Sequence, residues 1–315
     1  MARTAGRFHA VDGVSFEVAR GRALGLVGES GSGKSLTLRA LMSLLPTAAR
    51  IEGGAVVLDG IELPRAVRQV RRALRGRMAM IFQDPLSALD PTQTVGGQIA
   101  EVPRRLRGVS RRGSWERAIE LLRLVGIPDP VRRAQAYPHQ LSGGMRQRVV
   151  IAIALAAEPS VLLCDEPTTA LDVTVQAQVL ELLDDLRTRL ELAIVFVSHD
   201  LAVIRQLCED VCVMYTGRLV ENGRTVEVLE RPLHPYTLGL LDAILDLDDP
   251  VGAPQPIPGT LPDIERLPSG CTFHPRCFLA TAECAEVVPE LAGAHGAAPS
   301  SHASACIHRD SLQAR

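Results

Sequence analysis

A chain of 315 residues with 46% hydrophobic and 22% charged residues has the composition of an ordinary globular protein with room for about two domains, which excludes a disordered chain. Its formal net charge of −2 argues against a broad basic footprint for nucleic acid. The longest apolar stretch, Val149 to Ala157, is far short of the roughly 18 residues that span a bilayer, and Met1 to Ala10 lacks a signal-peptide centre, so the expected location is the cytoplasm, with membrane contact made through a partner.

Val14 to Val18 alternates as a strand does, and the turn at Arg20-Gly21 leads into an apolar strand, Ala23 to Val27. Gly28-Glu29-Ser30-Gly31-Ser32-Gly33-Lys34-Ser35 follows, ahead of a helical pattern from Leu36 to Leu45 that Pro46 stops. This loop fits G-x-x-x-x-G-K-[ST] at every fixed position. The glycines let consecutive backbone N–H groups turn inward on an anion, and the following helix offers its positive end to the same phosphates. Lys34 is placed to reach the β- and γ-phosphates, and the Ser35 hydroxyl is a hard oxygen ligand suited to Mg²⁺. Lys34 is also the only lysine in the sequence; every other fixed side-chain cation is arginine.

Ile51 to Leu58 reads as a strand closed by Asp59-Gly60, and Val67 to Leu74 as an arginine-rich, exposed helix. Met78 to Phe82 is a short buried strand ending in Gln83-Asp84-Pro85. From Thr92 to Gln140 the composition shifts to arginine-rich helical segments, including Trp115 to Val125, broken by Pro128, Pro130 and Pro138. This is a helical insertion in an α/β domain. Leu141-Ser142-Gly143-Gly144 then opens a helix, Met145 to Ala157, with small residues and free N–H groups that suit an anion. The helix after Lys34 already meets the phosphates, so this second start either serves the nucleotide of another chain in a head-to-tail pair or is an ordinary glycine-rich cap.

Val161 to Cys164 is a buried strand ending in Asp165-Glu166, acids at the strand end where open α/β sheets bind ligands. Asp165 is placed to hold Mg²⁺, directly or through water, and Glu166 to polarise an attacking water. Asp172 caps a helix from Val173 to Leu190. The strand Ala193 to Val197 delivers Ser198-His199-Asp200, with His199 a γ-phosphate contact or a structural histidine and Asp200 a cap for the next helix. Strands Val211 to Tyr215 and Arg218 to Glu221 form a hairpin around Thr216-Gly217.

Taken in order, Gly28 to Ser35, Gln83, Leu141 to Gln147, Asp165-Glu166, Ala170-Leu171-Asp172 and His199 resemble the successive motifs of the ATP-binding subunits of ABC transporters, from about Val11 to the C-terminus. Tyr137 to Gln140, Asp165 to Gln178 and His234 to Thr237 are similar to the oligopeptide, dipeptide and nickel importer branch, and above all to its dipeptide-type subunits with a cysteine-bearing tail. The resemblance implies an α/β P-loop ATPase domain over residues 1–247, with an antiparallel β-subdomain and a helical insertion over about 92–157, and a linker and cysteine tail over 248–315. It implies that two such subunits sandwich two ATP molecules, each between Gly28 to Leu36 of one chain and Ser142, Gly143 and Gly144 of the other, with Asp172 at the same interface. It assigns Gln83 to Mg²⁺, the attacking water and coupling to the insertion. The implied partners are a second, usually different ATPase chain, two transmembrane permease subunits and an extracytoplasmic solute-binding protein that imports peptides or, alternatively, nickel or another small solute; no nucleic acid is implied.

Two departures stand at the start. Relatives have a first strand and an adenine-stacking aromatic where this sequence offers only Met1 to His9 with Phe8, so the start codon is expected to lie upstream. Leu36, where many relatives have threonine, loses a hydroxyl and keeps its backbone N–H. A non-transport ABC ATPase would usually carry a tandem cassette or a long coiled-coil insertion, and a small-molecule kinase would leave Ser142 to Gly144 and Gln83 without a role.

After a proline-rich linker, Pro250 to Pro268, come Cys271, Cys277, Cys284 and Cys306, while Cys164, Cys208 and Cys212 read as core residues. In a reducing compartment four clustered cysteines point to a metal site rather than to disulfides, yet they lack tight C-x-x-C pairs and suit either zinc or an iron–sulfur cluster. Reduced thiols and the histidines 274, 302 and 308 as ligands stay open. The resemblance, with His274-Pro-Arg-Cys277 in place, favours a [4Fe–4S] cluster of structural role.

Overall fold

The structure, a computed structural model, describes residues 8–64, 67–169, 171–243, 256–293 and 302–312. In chain order it begins with β1 (Ala23–Val27), α1 (Lys34–Leu41), the short strands β2 (Val57–Leu58) and β3 (Ile61–Glu62), α2 (Val67–Leu74) and β4 (Met78–Ile81). Helices α3 (Pro85–Ala88), α4 (Val95–Arg107), α5 (Arg111–Leu124), α6 (Pro130–Arg133) and α7 (Gly143–Leu155) follow. Then come β5 (Val161–Asp165), α8 (Val173–Leu190), β6 (Ala193–Ser198), α9 (Leu201–Leu207), β7 (Asp210–Tyr215), β8 (Arg218–Arg224), α10 (Thr225–Glu230) and α11 (Pro235–Asp242). The C-terminal part adds β9 (Ala292–Gly293), β10 (Ala303–Ser304) and α12 (Arg309–Leu312). No described helix is long and apolar enough to cross a membrane.

The chain divides into two compact units. One comprises residues 18–23 and 38–196. Its strands run in the order β4-β5-β6, with β4 parallel to β5 from Met78 opposite Val161 to Ile81 opposite Cys164. Every residue of β5 and β6 is buried, which is why these strands read as unbroken apolar runs rather than as alternations. The helical insertion packs α4, α5 and α7 on one another through Val95, Ile99, Leu121, Leu122, Val149 and Ile151, none more than 1% exposed. Gly96 of α4 permits close approach to α5 and to the end of α6, since a Cβ there would lie 3.0 Å from the Trp115 ring and 2.6 Å from Ala134 O.

The other unit comprises the described parts of 1–17, 24–37 and 197–315. Here β1 pairs in parallel with β7, β7 antiparallel with β8 across a bulge at Val213/Met214, β8 with β10, and β10 with β9. The end of the chain thus completes the sheet edge begun by the β7–β8 hairpin, and the residues after 256 lie in the same unit as the glycine loop.

Three expectations are corrected. Val14 to Val18 forms no strand; it follows an anchor at Asp12, whose N–H donates to Gly217 O (2.8 Å) and whose carboxylate receives Arg218. Ile51 to Leu58 contracts to the two residues of β2, because Gly53-Gly54 carries no side chain to pack and residues 51–55 are exposed, so β2 and β3 form only a four-residue antiparallel ladder. The helix after Lys34 ends at Leu41 rather than Leu45, with Ser43 in the left-handed region at φ 52°. Residues 1–7, Ala170 and the linker from 250 to 255 lie outside the described residues.

Candidate nucleotide site and cysteine pocket

The glycine loop joins the C-terminal end of β1 to the first turn of α1. Gly28, Gly31 and Gly33 have φ of 146°, 87° and 103°, values a side-chain-bearing residue rarely takes. At Gly28 the requirement is also steric, because a Cβ would overlap the carbonyl oxygen of Met214. The loop folds back through Ser32 N–H to Glu29 O (3.1 Å) and is pinned to the hairpin by Gly217 N–H to Ser32 O (2.9 Å). Lys34, 4% exposed, donates from Nζ to Gly28 O (2.6 Å) and Glu29 O (2.9 Å), so its ammonium spans the loop mouth. Ser30 and Gly31 are exposed, and Ser35 and Leu36 open the helix at its positive end. A glycine-bearing loop ahead of a helix start, with one ammonium across it, suits a polyphosphate. In the same unit β6 ends at Ser198 and delivers exposed His199, while Asp200 caps α9 through Ala202 N–H (2.8 Å) as expected.

The first-named unit carries the second set. Asp165 closes β5 and is 4% exposed; Glu166 follows at φ 48°. That left-handed backbone costs a non-glycine residue on the order of 1 kcal/mol and turns the carboxylate off the strand axis. Glu166 Oε2 accepts from Gln83 Nε2 (3.2 Å) and from Thr169 Oγ1 (3.0 Å), so the structure brings together Gln83, at the end of β4, and Glu166, at the end of β5. Thr169 was not singled out in the sequence. Beyond Gln83, Asp84 caps α3, and Gln98 of α4 binds the backbone of Asp90 and Gln93, which ties the strand end to the insertion.

Ser142 caps α7 by accepting from Met145 N–H (3.3 Å), with Arg146 Nε donating to Pro138 O (2.8 Å). Gly144 is required sterically, because a Cβ would meet Val175 Cγ1 of α8 at 2.6 Å. Gly143 is different: its nearest neighbour, Leu171 Cδ2, would be 3.8 Å from a Cβ, and it is exposed. Among the described residues no atom would crowd a side chain there. Asp172, exposed, caps α8 through Val175 N–H (2.9 Å).

Cys271, Cys277, Cys284 and Cys306 line one pocket, with His274 and His308 beside them. Burial raises the thiols of Cys271 and Cys277 and pushes Cys306 up to about 12, and the neighbouring sulfurs add to each shift. Cys271, Cys277 and Cys306, drawn out of water, resist ionisation, which a compensating cationic centre would reverse. Among the described residues no group of three or more His, Cys, Asp or Glu is set to hold a single metal ion. Of the three histidines, His274 Nδ1 pairs with Cys271 O and His308 Nε2 lies 3.6 Å from Cys284 Sγ. His302 departs from its expectation: its Nε2 pairs with buried Glu221 at 2.8 Å, where the carboxylate also receives the N–H groups of Leu233 and His234. Cys164 and Cys212 are buried core thiols, with pKa values raised by burial, as expected.

Comparison with known proteins places this geometry. Residues 11–169 match the family described as ABC transporter, and residues 220–284 match the region described as oligopeptide/dipeptide transporter, C-terminal region. A probable D,D-dipeptide transport ATP-binding protein of Escherichia coli (strain K12) is 48% identical over 288 residues, 91% of this chain and 88% of that protein. A probable peptide ABC transporter ATP-binding protein of Sinorhizobium fredii is 46% identical over 300 residues, covering 94% and 88%. A solved dimeric ATP-binding cassette in a post-hydrolysis state, bound to ADP and Pi, superposes with a TM-score of 0.60 at 29% identity over 69% of this chain and 91% of that one. Fold, motif order and similarity over nine-tenths of the chain agree, and the protein belongs to the ABC transporter family as an α/β P-loop ATP-binding subunit.

Proposed function

We infer that this chain is the ATP-hydrolysing motor subunit of an importer that carries dipeptides or oligopeptides across the cell membrane. The observation that carries this reading is the match of residues 220–284 to the oligopeptide/dipeptide C-terminal region on a chain 48% identical to a dipeptide transport ATP-binding protein. Gly28 to Leu36 take the phosphates, with Lys34 on the β- and γ-phosphates and Ser35, Gln83 and Asp165 around Mg²⁺. Glu166 polarises the attacking water, and His199 contacts the γ-phosphate. Ser142, Gly143, Gly144 and Asp172 complete the site of a second ATPase chain, read as a different subunit. The unexplained glycine at 143 supports this, since a helix start without an internal reason for glycine suits close approach by a partner's nucleotide. Two permease subunits and an extracytoplasmic binding protein complete the machine, which places the chain at the cytoplasmic face of the membrane. Residues 1–247 are the motor and 248–315 the tail.

For the tail the reading is a [4Fe–4S] cluster on Cys271, Cys277, Cys284 and Cys306, which share one pocket. Four thiolates suit either a cluster or a single zinc, and the tail's His274-Pro-Arg-Cys277 is what favours the cluster over zinc in this reading.

The deciding experiment is solute uptake in a deletion strain. Loss of peptide uptake with retained nickel uptake supports the reading, and the reverse replaces peptide by nickel. Failure to co-purify with permease subunits from membranes overturns the transport role.

A further inference from the structure

Arg276 belongs to the turn His274–Arg276 between Cys271 and Cys277, and its side chain is only 5% exposed. Its guanidinium meets both carboxylate oxygens of Glu29, the second residue of the glycine loop, at 2.7 and 2.9 Å. Such a two-pronged pair fixes direction as well as distance. The same group donates from Nε to Pro258 O (2.8 Å) and lies over the Tyr215 ring at 5.9 Å from its centroid. It is therefore held by two partners, Pro258 and Tyr215, besides the loop.

The tail touches the loop by a second route. Glu29 N–H donates to Tyr236 Oη (2.7 Å), and the Tyr236 ring packs on Phe273 of the tail, centroids 5.3 Å apart. Phe273 is 2% exposed and also packs edge-on to Tyr215, while Thr272 hydrogen-bonds Thr216 at 2.8 Å. Backbone and side chain of Glu29 are thus both fastened to residues anchored by the cysteine segment. A loop containing three glycines has conformational freedom to lose on binding an anion, and prior fastening reduces that loss.

We propose that Arg276 is a positioning residue of the nucleotide site: through Glu29 the cysteine tail holds the loop in its phosphate-accepting shape, which couples the state of the tail to the affinity for ATP. The proposal rests on the reading of Gly28 to Ser35 as the nucleotide loop. Because coupling is reciprocal, bound nucleotide also steadies the segment between Cys271 and Cys277.

The test is equilibrium titration of the full-length chain with a fluorescent ATP analogue, with thermal unfolding followed alongside. Arg276→Gln and Glu29→Gln each raise the Kd by about fivefold to tenfold, and the double variant goes no further than either single, since all three remove one interaction. In the assembled transporter Arg276→Gln raises the KM for ATP by the same factor and leaves kcat within about twofold, a split that general misfolding would not produce. Should Arg276→Gln fail to fold, Glu29→Gln carries the test, because it keeps the shape and one acceptor for the guanidinium. An unchanged Kd in a folded single variant, or additive effects in the double, overturns the clamp. Lys34→Ala separates the two readings: if it too leaves the Kd unchanged, the nucleotide loop itself is misassigned, whereas if it abolishes binding while Arg276→Gln is neutral, only the clamp falls.

Discussion

Glu166 carries two burdens in one residue, a left-handed backbone at φ 48° and a carboxylate already held by Gln83 and Thr169. Glu166→Gln keeps the shape and both neighbours but cannot accept a proton, so nucleotide binding persists while steady-state hydrolysis falls by about 100-fold or more, as for loss of a general base. Unchanged turnover would remove Glu166 from that role. At Gly28 the constraint is the backbone: Gly28→Ala drives a methyl into Met214 O at a φ that alanine avoids, and should cost about 3 kcal/mol, read as a lowered midpoint in urea unfolding. These residues were legible from the linear motif because each is needed for what its own backbone or functional group does. Thr169, Tyr236 and Arg276 were not assigned roles. The signals were that Thr169, His234-Pro-Tyr236 and His274-Pro-Arg276 lie in stretches similar to the family's motifs, and nothing in the spacing says which atoms they meet.

Most elements follow from local pattern, and their ends follow from caps. Asp172 and Asp200 were placed as caps from sequence, and each accepts the expected backbone N–H. Asp172→Ala should cost about 1 kcal/mol of stability by removing the cap of α8. Helix α7 gives a sharper contrast between its two glycines. Gly144→Ala forces Val175 aside and destabilises the chain, whereas Gly143→Ala makes only ordinary contact with Leu171 and should be neutral or stabilising by up to about 0.5 kcal/mol in the isolated chain. If Gly143 serves a partner's nucleotide, the same Gly143→Ala variant nonetheless lowers ATP hydrolysis in the assembled transporter. Unimpaired hydrolysis there would count against the shared site. Alternation alone is weak evidence for a strand: Val14 to Val18 has the pattern and forms none, and it is Asp12, just before it, that bonds Gly217 and Arg218. Pattern proposes a strand; a neighbouring edge is needed to make one.

For the molecule as a whole, the cysteine tail is the part whose chemistry can be read by eye. Protein purified without oxygen should absorb near about 400 nm, and Cys306→Ser should remove that absorption, whereas a colourless chain carrying one zinc would refute the cluster. The sequence by itself determined the α/β class, the glycine loop, the acids at the end of β5 and the family, because these depend on residues adjacent in the chain or on the order of short motifs. Tertiary structure alone decided that Arg276 grips Glu29 across 247 positions, that His302 turns to Glu221 rather than to the cysteines, and that four cysteines without tight spacing share one pocket. The reason is that composition fixes which groups want partners, whereas the choice between partners far apart in sequence is made by which segments can be buried together. Here Phe273 packs beside Tyr215 and Tyr236, and that burial brings the tail to the loop.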